Sequence, residues 1–473
     1  MVFSSPVFLF IFFPLFYVGY FFLPKQFRNG FVLLSSICFY TVGAGALTAV
    51  VAVLILFNYA SGLLIFHLGK SATRAGLFRL VTTVAIVLNL GPLIFFKYLL
   101  FLNVAIGDIF GFHFIHDIKS WKLALPLGIS FYTFHFISYL VDVYAHRVRP
   151  ENSLRRFAIY IALFPHLIAG PVVRFAEIKV QLDRKRRILV GKDIFWGLVI
   201  FVIGLAKKIL LADSLGSVVD FVHGHNAQLT TYSAWLAAVC YSFQIYFDFS
   251  GYTDMAIGMA RMMGFRFPRN FNRPYMSLSV TEFWQRWHMT LSRWFRDYVY
   301  IPLGGSRHGA AVTYRNLLIV FVLCAMWHGA AYTFLVWGVG HGALLCAERS
   351  GILKTEKLQL GCLPVFVLVT LLWVPFRAED LTHMSLYWST MFGLNPAAQL
   401  WADANRSLAD PKVIVLLIAA MAICLTSHKP FYRLRSFSFR HPRTIGAYCF
   451  LLYVLSCISA VEHGFNPFIY FQF

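Results

Sequence analysis

Leu47-Thr-Ala-Val-Val-Ala-Val-Leu-Ile-Leu-Phe-Asn-Tyr-Ala-Ser-Gly-Leu-Leu-Ile-Phe-His67 carries no Lys, Arg, Asp or Glu from end to end. A helix crossing the ~30 Å hydrocarbon layer of a membrane takes about 20 mostly apolar residues, and this stretch supplies them. Similar runs recur near 7–23, 30–44, 80–101, 123–145, 194–212, 231–260, 361–376, 413–427 and 445–461. Segments 157–173 and 317–347 are also apolar but are interrupted by His, Pro and Gly. The reading is an all-α, polytopic integral membrane protein with about 10–12 crossings. Composition agrees: of 473 residues, 59% are hydrophobic, 18% aromatic and 13% charged, with a mean hydropathy of +0.68. Soluble domains run at about 45–50% apolar and about 25% charged. A disordered chain and a soluble enzyme are thereby excluded. No linker, repeat or low-complexity tract appears, so residues 1–473 read as a single transmembrane domain.

Lys and Arg total 41 against 20 Asp and Glu, a formal net charge of +21. The basic residues lie in short loops between apolar runs, the pattern of positive-inside topology rather than of a nucleic-acid partner. Val7–Leu23 precedes Lys25 and Arg28, the wrong order for a cleaved signal peptide, so the N-terminus is expected outside. Lys25/Arg28, Lys70/Arg74/Arg79, Arg147/Arg149/Arg155/Arg156 and Lys179/Arg184–Arg187 then share the inner side. The last two groups flank 157–173, which must dip in and return as a re-entrant element carrying His166, Gly170 and Pro171. Broken backbone at membrane depth is tolerated only inside protein or along a wet cavity. Continuing the alternation places 213–230 outside, 261–316 inside, 377–411 outside, 428–444 inside and the C-terminus outside. The eight cysteines sit mostly in apolar runs with no zinc-like spacing, and no metal site is expected.

Candidate chemistry concentrates in Tyr246–Gly342. Asp248 and Asp254 lie within an apolar segment, where carboxylates are costly and face a bundle interior or water-filled path. The structural reading pairs them with nearby arginines. Ser279 and Glu282 form an S-x-x-E capping box, so a helix is expected to begin there. Trp284, Trp287, His288, Leu291, Trp294, Phe295 and Tyr298 share one face at helical spacing, with Arg286, Arg293 and Arg296 mainly elsewhere. That pattern suits a helix at the cytoplasmic interface or plugging the bundle from below. The aromatics alone fit simple packing, but His288 among tryptophans needs a polar partner. His328, in Met326-Trp327-His328-Gly329, is one imidazole in an otherwise apolar helix. A buried neutral imidazole is a general base, or else a structural histidine bonded to a carbonyl. Gly329, Ala330 and Ala331 leave space beside it for a substrate or a close helix. His341, in Trp337-Gly-Val-Gly-His341-Gly342, is a weaker candidate whose glycines favour close helix packing. No nucleophile elbow, Walker A or dinucleotide fingerprint is present.

At these residues the chain resembles the membrane-bound O-acyltransferases. The resemblance is carried by Tyr246-Phe-Asp-Phe-Ser-Gly-Tyr-Thr-Asp254, Glu282-Phe-Trp-Gln-Arg-Trp-His-Met-Thr-Leu-Ser292, Tyr300-Ile-Pro-Leu-Gly-Gly305 and Met326-Trp-His-Gly-Ala330. Leu125–Phe134, Phe164–Arg174 and Gly204–Lys208 extend it over nearly the whole chain. The branch it resembles is the bacterial membrane subunit that O-acetylates alginate, with its cellulose-acetylating relatives. His166 stands where alginate members carry Gln, which points to a different polymer, and the shorter C-terminal end tilts the reading toward cellulose.

The resemblance implies an O-acetyltransferase of the bacterial inner membrane with both termini periplasmic, its helices ringed around a central funnel. His328 matches the essential histidine and His288 the second polar position. Trp327, Trp287, Asp248 and His341 are implied near substrate, with Arg286, Arg293 and Arg296 as candidates for holding coenzyme A phosphates. No bound cofactor is expected. Acetyl-CoA is the implied donor, and the implied partners are a periplasmic SGNH-type acetyltransferase with a Ser-His-Asp site and an exopolysaccharide assembly complex. A polysaccharide or lipid-linked sugar transporter and a non-catalytic scaffold of an export complex are the competing readings. A transporter would more often show internal repeats between halves.

Overall fold

The computed structural model describes residues 2–112, 115, 124–224, 229–395, 410–425, 442–462 and 466–469. All regular structure among them is helical. Five continuous helical runs are long and apolar enough to cross a membrane: Arg28–Leu68, Ala75–Phe110, Gly191–Gly224, Gly309–His328 and Pro442–Glu462. Shorter apolar helices are Phe8–Phe22, Leu363–Arg377 and Pro411–Leu425. The chain is a multi-pass membrane protein. Expected boundaries move at two places. The run read as 80–101 extends over Ala75–Phe110, and that read as 194–212 continues to Gly224, so most of 213–230 is helix rather than loop. Both runs contain π-helical turns (Ile94–Tyr98 and Lys207–Asp213), which let them bend without ending. Most of the expected inner loop 428–444 and the C-terminal residues 470–473 lie outside the described residues.

Backbone contacts divide the chain into two units. The first comprises Met1–Leu198 and Ala256–Pro268. Here buried amides satisfy one another: Asn58 and Asn89 exchange side-chain hydrogen bonds of 2.7 and 2.9 Å between neighbouring helices. Tyr17 and Tyr20 donate to the carbonyls of Met259 and Met263, each at 2.8 Å. The segment 157–173 is not one continuous helix. Helix Leu154–Ala162 has 9 residues, about 14 Å at 1.5 Å per residue. The chain then turns through Phe164–Leu167 and passes Gly170 at φ 135°. A Cβ at Gly170 would meet the Pro165 carbonyl at 3.3 Å, so glycine is required for both space and φ. His166 is fully buried, with Nε2 2.8 Å from the Tyr160 carbonyl.

The second unit comprises Val199–Met255 and Arg269–Phe473. Two close helix approaches organise it. A Cβ on Gly204 would stand 2.5 Å from the Gly251 carbonyl, and one on Gly251 2.6 Å from that of Gly204. Small residues permit such crossings. This one brings Lys207 to Asp254 (2.6 Å) and Lys208 to Asp248 (2.9 Å). The expected arginine pairing is therefore corrected: the partners are lysines, one turn beyond Gly204. The second approach joins Gly309–His328 to Tyr332–Arg349, where a Cβ on Gly338 would lie 2.5 Å from both Ala325 Cβ and the Phe321 carbonyl. The glycines preceding His341 thus do pack a helix.

Candidate active site

His328 is the last residue of Gly309–His328; Gly329 and Ala331 are extended, and the next helix begins at Tyr332. The break places the imidazole, 3% exposed, at a helix end rather than along a wall. Its ring is held edge-on by Trp327 (4.7 Å between centroids), Trp337 (5.0 Å) and Phe376 (5.2 Å). The space expected beside Gly329 is filled: a Cβ there would lie 2.0 Å from the Phe334 ring.

His288 reaches the same neighbourhood by another route. Half of the capping box forms, Ser279 Oγ accepting from the Glu282 N–H at 3.0 Å, while the Glu282 carboxylate reaches past the cap residue to accept from the Leu278 N–H at 2.7 Å. The helix it starts ends at Arg286, however, and a second one spans Met289–Phe295. The single aromatic-faced helix of the sequence reading is corrected to two short ones. Between them Trp287 is extended and His288 takes a left-handed conformation at φ 40°. Asn270 causes the break. Its backbone carbonyl accepts from the Met289 N–H (2.8 Å), and its Oδ1 accepts from the Thr290 N–H (3.2 Å) and Thr290 Oγ1 (2.8 Å). These bonds satisfy first-turn donors that a residue at positive φ does not cap.

The same amide sets the tautomer of His288. The Thr290 backbone N–H can only donate, so the Asn270 atom facing it is the carbonyl oxygen. His288 Nδ1 lies 3.1 Å from that oxygen and must carry the proton. Nε2 is then the lone-pair nitrogen. Burial pushes the His288 pKa from its ordinary 6.5 down to about 3, so the ring is neutral at physiological pH. It packs against Phe249 (4.7 Å) and Trp327 (5.9 Å), so Trp327 stands between the two histidines.

His341 is fully buried, 5.1 Å ring to ring from Trp337. The Trp284 indole N–H donates to its Nδ1 at 3.3 Å, which leaves the proton on Nε2. Neither that N–H nor the indole N–H of Trp337 has a hydrogen-bond partner among the described residues. The Trp337 ring thus meets His328 directly, and His341 lies one ring further on, against Trp337; sequence reading singled out only His341.

The remaining candidates scatter. Trp287 is buried against Trp373 (5.0 Å) and Phe283 (5.6 Å). Asp248 is held by Lys208 and accepts from the Ile469 N–H at 3.0 Å; Lys208 also bonds Asp213. Arg286 pairs with Glu282 at 2.5 Å and Arg296 with Asp297 at 2.7 Å, while Arg293 is half-buried. Asn270, Trp337 and Phe376 were missed. Asn270 had a signal, one of two amides between Arg269 and Arg273 ahead of a Trp-His pair, but its role depends on a contact 18 residues away. Among the described residues no group of three or more His, Cys, Asp or Glu is placed to hold a metal ion.

Comparison with known proteins gives the family. Residues 145–361, spanning both Trp-His pairs, match the MBOAT, membrane-bound O-acyltransferase family. The chain is 40% identical to the "probable alginate O-acetylase AlgI" of Azotobacter vinelandii, over 91% of this chain and 86% of that protein. It is 39% identical to the protein of the same name in Pseudomonas aeruginosa, over 91% and 82%. It is 35% identical to the peptidoglycan O-acetyltransferase of Helicobacter pylori, over 84% and 80%. With an interrupted histidine helix at its centre and relatives matched along most of their length, the chain belongs to the membrane-bound O-acyltransferase family.

Proposed function

We propose that the protein takes an acetyl group from acetyl-CoA on the cytoplasmic side of a bacterial inner membrane and passes it to an alcohol on the outer side, for O-acetylation of an exopolysaccharide. His328 serves as general base. It takes the proton of the acceptor hydroxyl as the oxygen attacks the thioester carbonyl; the C–S bond then breaks and the thiolate leaves with that proton. The N–H groups of Trp337 and His341 are the donors for the oxyanion that forms between those events. His288, with its lone pair on Nε2, orients the donor by accepting a hydrogen bond. Arg286, Arg293 and Arg296 are the candidates for the phosphates of coenzyme A. Aromatic walls around His328 exclude water and protect the thioester from hydrolysis.

The single observation that carries this reading is the position of His328: buried, at a helix break, with the Trp337 indole edge-on to it and the N–H of that indole buried without a partner among the described residues. Relatives named for acetylating alginate and peptidoglycan support a polymer outside the cytoplasm as the final acceptor. A periplasmic acetyltransferase with a Ser-His-Asp site, within an export complex, fits as the relay between this protein and that polymer. The test is labelled acetyl-CoA added to purified protein in lipid nanodiscs. Consumption that disappears in His328→Ala, with the variant folded and inserted, supports the assignment; wild-type turnover by that variant removes it.

A further inference from the structure

One face of the helix Ser214–Gly224 presents Gly216, Asp220 and His223 at spacings of four and three residues, the repeat of a single helical stripe. A different neighbour meets each position. A Cβ on Gly216 would stand 2.5 Å from the Gln244 side chain. Asp220 accepts from the Arg377 guanidinium at 3.0 Å. His223 stacks on Tyr387 (4.4 Å, 12°) and meets His383 edge-on at 5.1 Å. Tyr387 and His383 are 1% and 8% exposed, and their rings meet at 5.1 Å. His223 Nδ1, His383 Nε2 and the hydroxyl of Tyr387 are all buried without a hydrogen-bond partner among the described residues. Native structures leave few buried polar atoms unpaired. Three on mutually touching rings point to a missing partner.

The location relates this cluster to the reaction. Arg377 is the last residue of Leu363–Arg377 and directly follows Phe376, whose ring touches that of His328. The charge alternation assigns both 213–230, which carries His223 and has no lysine or arginine, and 377–411, which carries His383 together with Arg377 and Arg406, to the exterior. The chemistry selects the partner. Imidazole nitrogens and phenols can each donate or accept, which matches hydroxyl groups that do both. Arg377 is paired with Asp220, and the Asp380 carboxylate accepts from the His383 backbone N–H, so the cluster carries no spare positive charge and the match is to a neutral group rather than an anion. The stacked faces of His223 and Tyr387 suit the C–H side of a ring.

We propose that Asp220, His223, Arg377, His383 and Tyr387 form the acceptor subsite on the outer side of His328, and that it binds a neutral sugar through its hydroxyls. This rests on the acyl-transfer reading above. The test uses full-length protein in lipid nanodiscs, with cellotetraose as the sugar probe and a serine-containing peptide as the protein probe. Binding of each is measured by titration calorimetry, and acetyl transfer from labelled acetyl-CoA is followed separately. Tyr387→Phe removes one hydroxyl and keeps the ring; His383→Gln keeps polarity and removes the imidazole. Each is expected to raise the KM and Kd for cellotetraose about 10-fold, the factor for one lost hydrogen bond of ~1.4 kcal/mol, and to leave the KM for acetyl-CoA in place. A purely structural role would move both KM values or neither. Wild-type binding of the peptide and not the sugar overturns the sugar assignment. Unchanged cellotetraose Kd in both variants shows that ordered water alone fills the cluster and overturns the subsite. Protein that binds cellotetraose in the expected way but never consumes acetyl-CoA removes the acyl-transfer reading and leaves the sugar site standing.

Discussion

The chain contains two Trp-His dipeptides in which the same pair of side chains is built in opposite ways. Trp327-His328 closes a 20-residue apolar helix, and its imidazole is walled by rings: Trp327, Trp337 and Phe376. Trp287-His288 occupies a break between two 7-residue helices, and its imidazole is gripped by the amide of Asn270. The first arrangement surrounds an imidazole with rings at a helix end. The second fixes one proton on Nδ1 and aims one lone pair. Identity of sequence at two residues therefore says little about local structure; one pair closes a long helix and the other separates two short ones.

The largest effect should come from asking each histidine to work without proton transfer. Asparagine can hold or accept a hydrogen bond but cannot act as a base. His328→Asn is expected to lower acetyl transfer by roughly 10²–10⁴, the usual worth of a general base. His288→Asn should retain activity within about 10-fold, because an amide oxygen replaces the accepting Nε2 at the level of one hydrogen bond. Initial rates with labelled acetyl-CoA decide between them, and equal losses would erase the distinction drawn here.

Next in size is the support of His288. Asn270→Ala removes the Nδ1 partner and the acceptor of the Thr290 N–H and hydroxyl together. A loss of ~1–3 kcal/mol in stability is expected, since buried donors are left unpaired. Transfer should fall with it, chiefly in kcat. The matching change beside the other histidine, Phe376→Leu, removes packing but no polar partner, so activity should survive it better than it survives Asn270→Ala. Thermal melting in detergent and single-turnover rates test both.

Acidification separates the two sites more gently. His288 is neutral in the folded protein down to about pH 3, whereas the unfolded chain takes up a proton near 6.5. Between those values the unfolded state binds the extra proton, so stability falls as pH falls, by about 1.4 kcal/mol per unit for this one group. His288→Gln should lose less stability than wild type between pH 6.5 and pH 4.5 when melting curves are compared. Parallel curves for the two proteins would mean that His288 is protonated in the fold after all.

How much of this could be read beforehand follows from the range over which each signal acts. The apolar runs, the helix start at Ser279, the interruption within 157–173 and the glycine-lined approach before His341 depend on neighbours along the chain, and the residues displayed them. The break at Trp287–His288 did not show, because the aromatic repeat runs straight through it while its cause, Asn270, lies in a preceding loop. Pairing of Asp248 and Asp254 with Lys208 and Lys207 was hidden for the same reason: it follows from the crossing of Gly204 and Gly251, which only the packed helices reveal. Helical continuation past Asp213 was masked by the absence of basic residues, which reads as an outer loop whether or not the backbone is coiled.

The smallest effect concerns the basic flank of His288. Arg286 was singled out as a phosphate ligand, yet its guanidinium lies 2.5 Å from Glu282 one turn earlier, and both side chains are partly solvated. An exposed pair at this spacing contributes only about 0.3–0.5 kcal/mol. Arg286→Ala should therefore change the melting temperature little and the KM for acetyl-CoA by less than about 3-fold, a shift of ~0.6 kcal/mol. A rise of 10-fold or more would show that the guanidinium exchanges Glu282 for phosphate when the donor arrives. Glu282→Gln distinguishes the two cases. It keeps the accepting oxygen for the Leu278 N–H but releases the arginine's counter-charge, so a genuine phosphate ligand should then bind acetyl-CoA more tightly. An arginine that serves only its helix should leave that KM where it was. Either result bears on the contrast between the two Trp-His pairs, because it decides whether the basic flank of His288 serves its helix or a ligand.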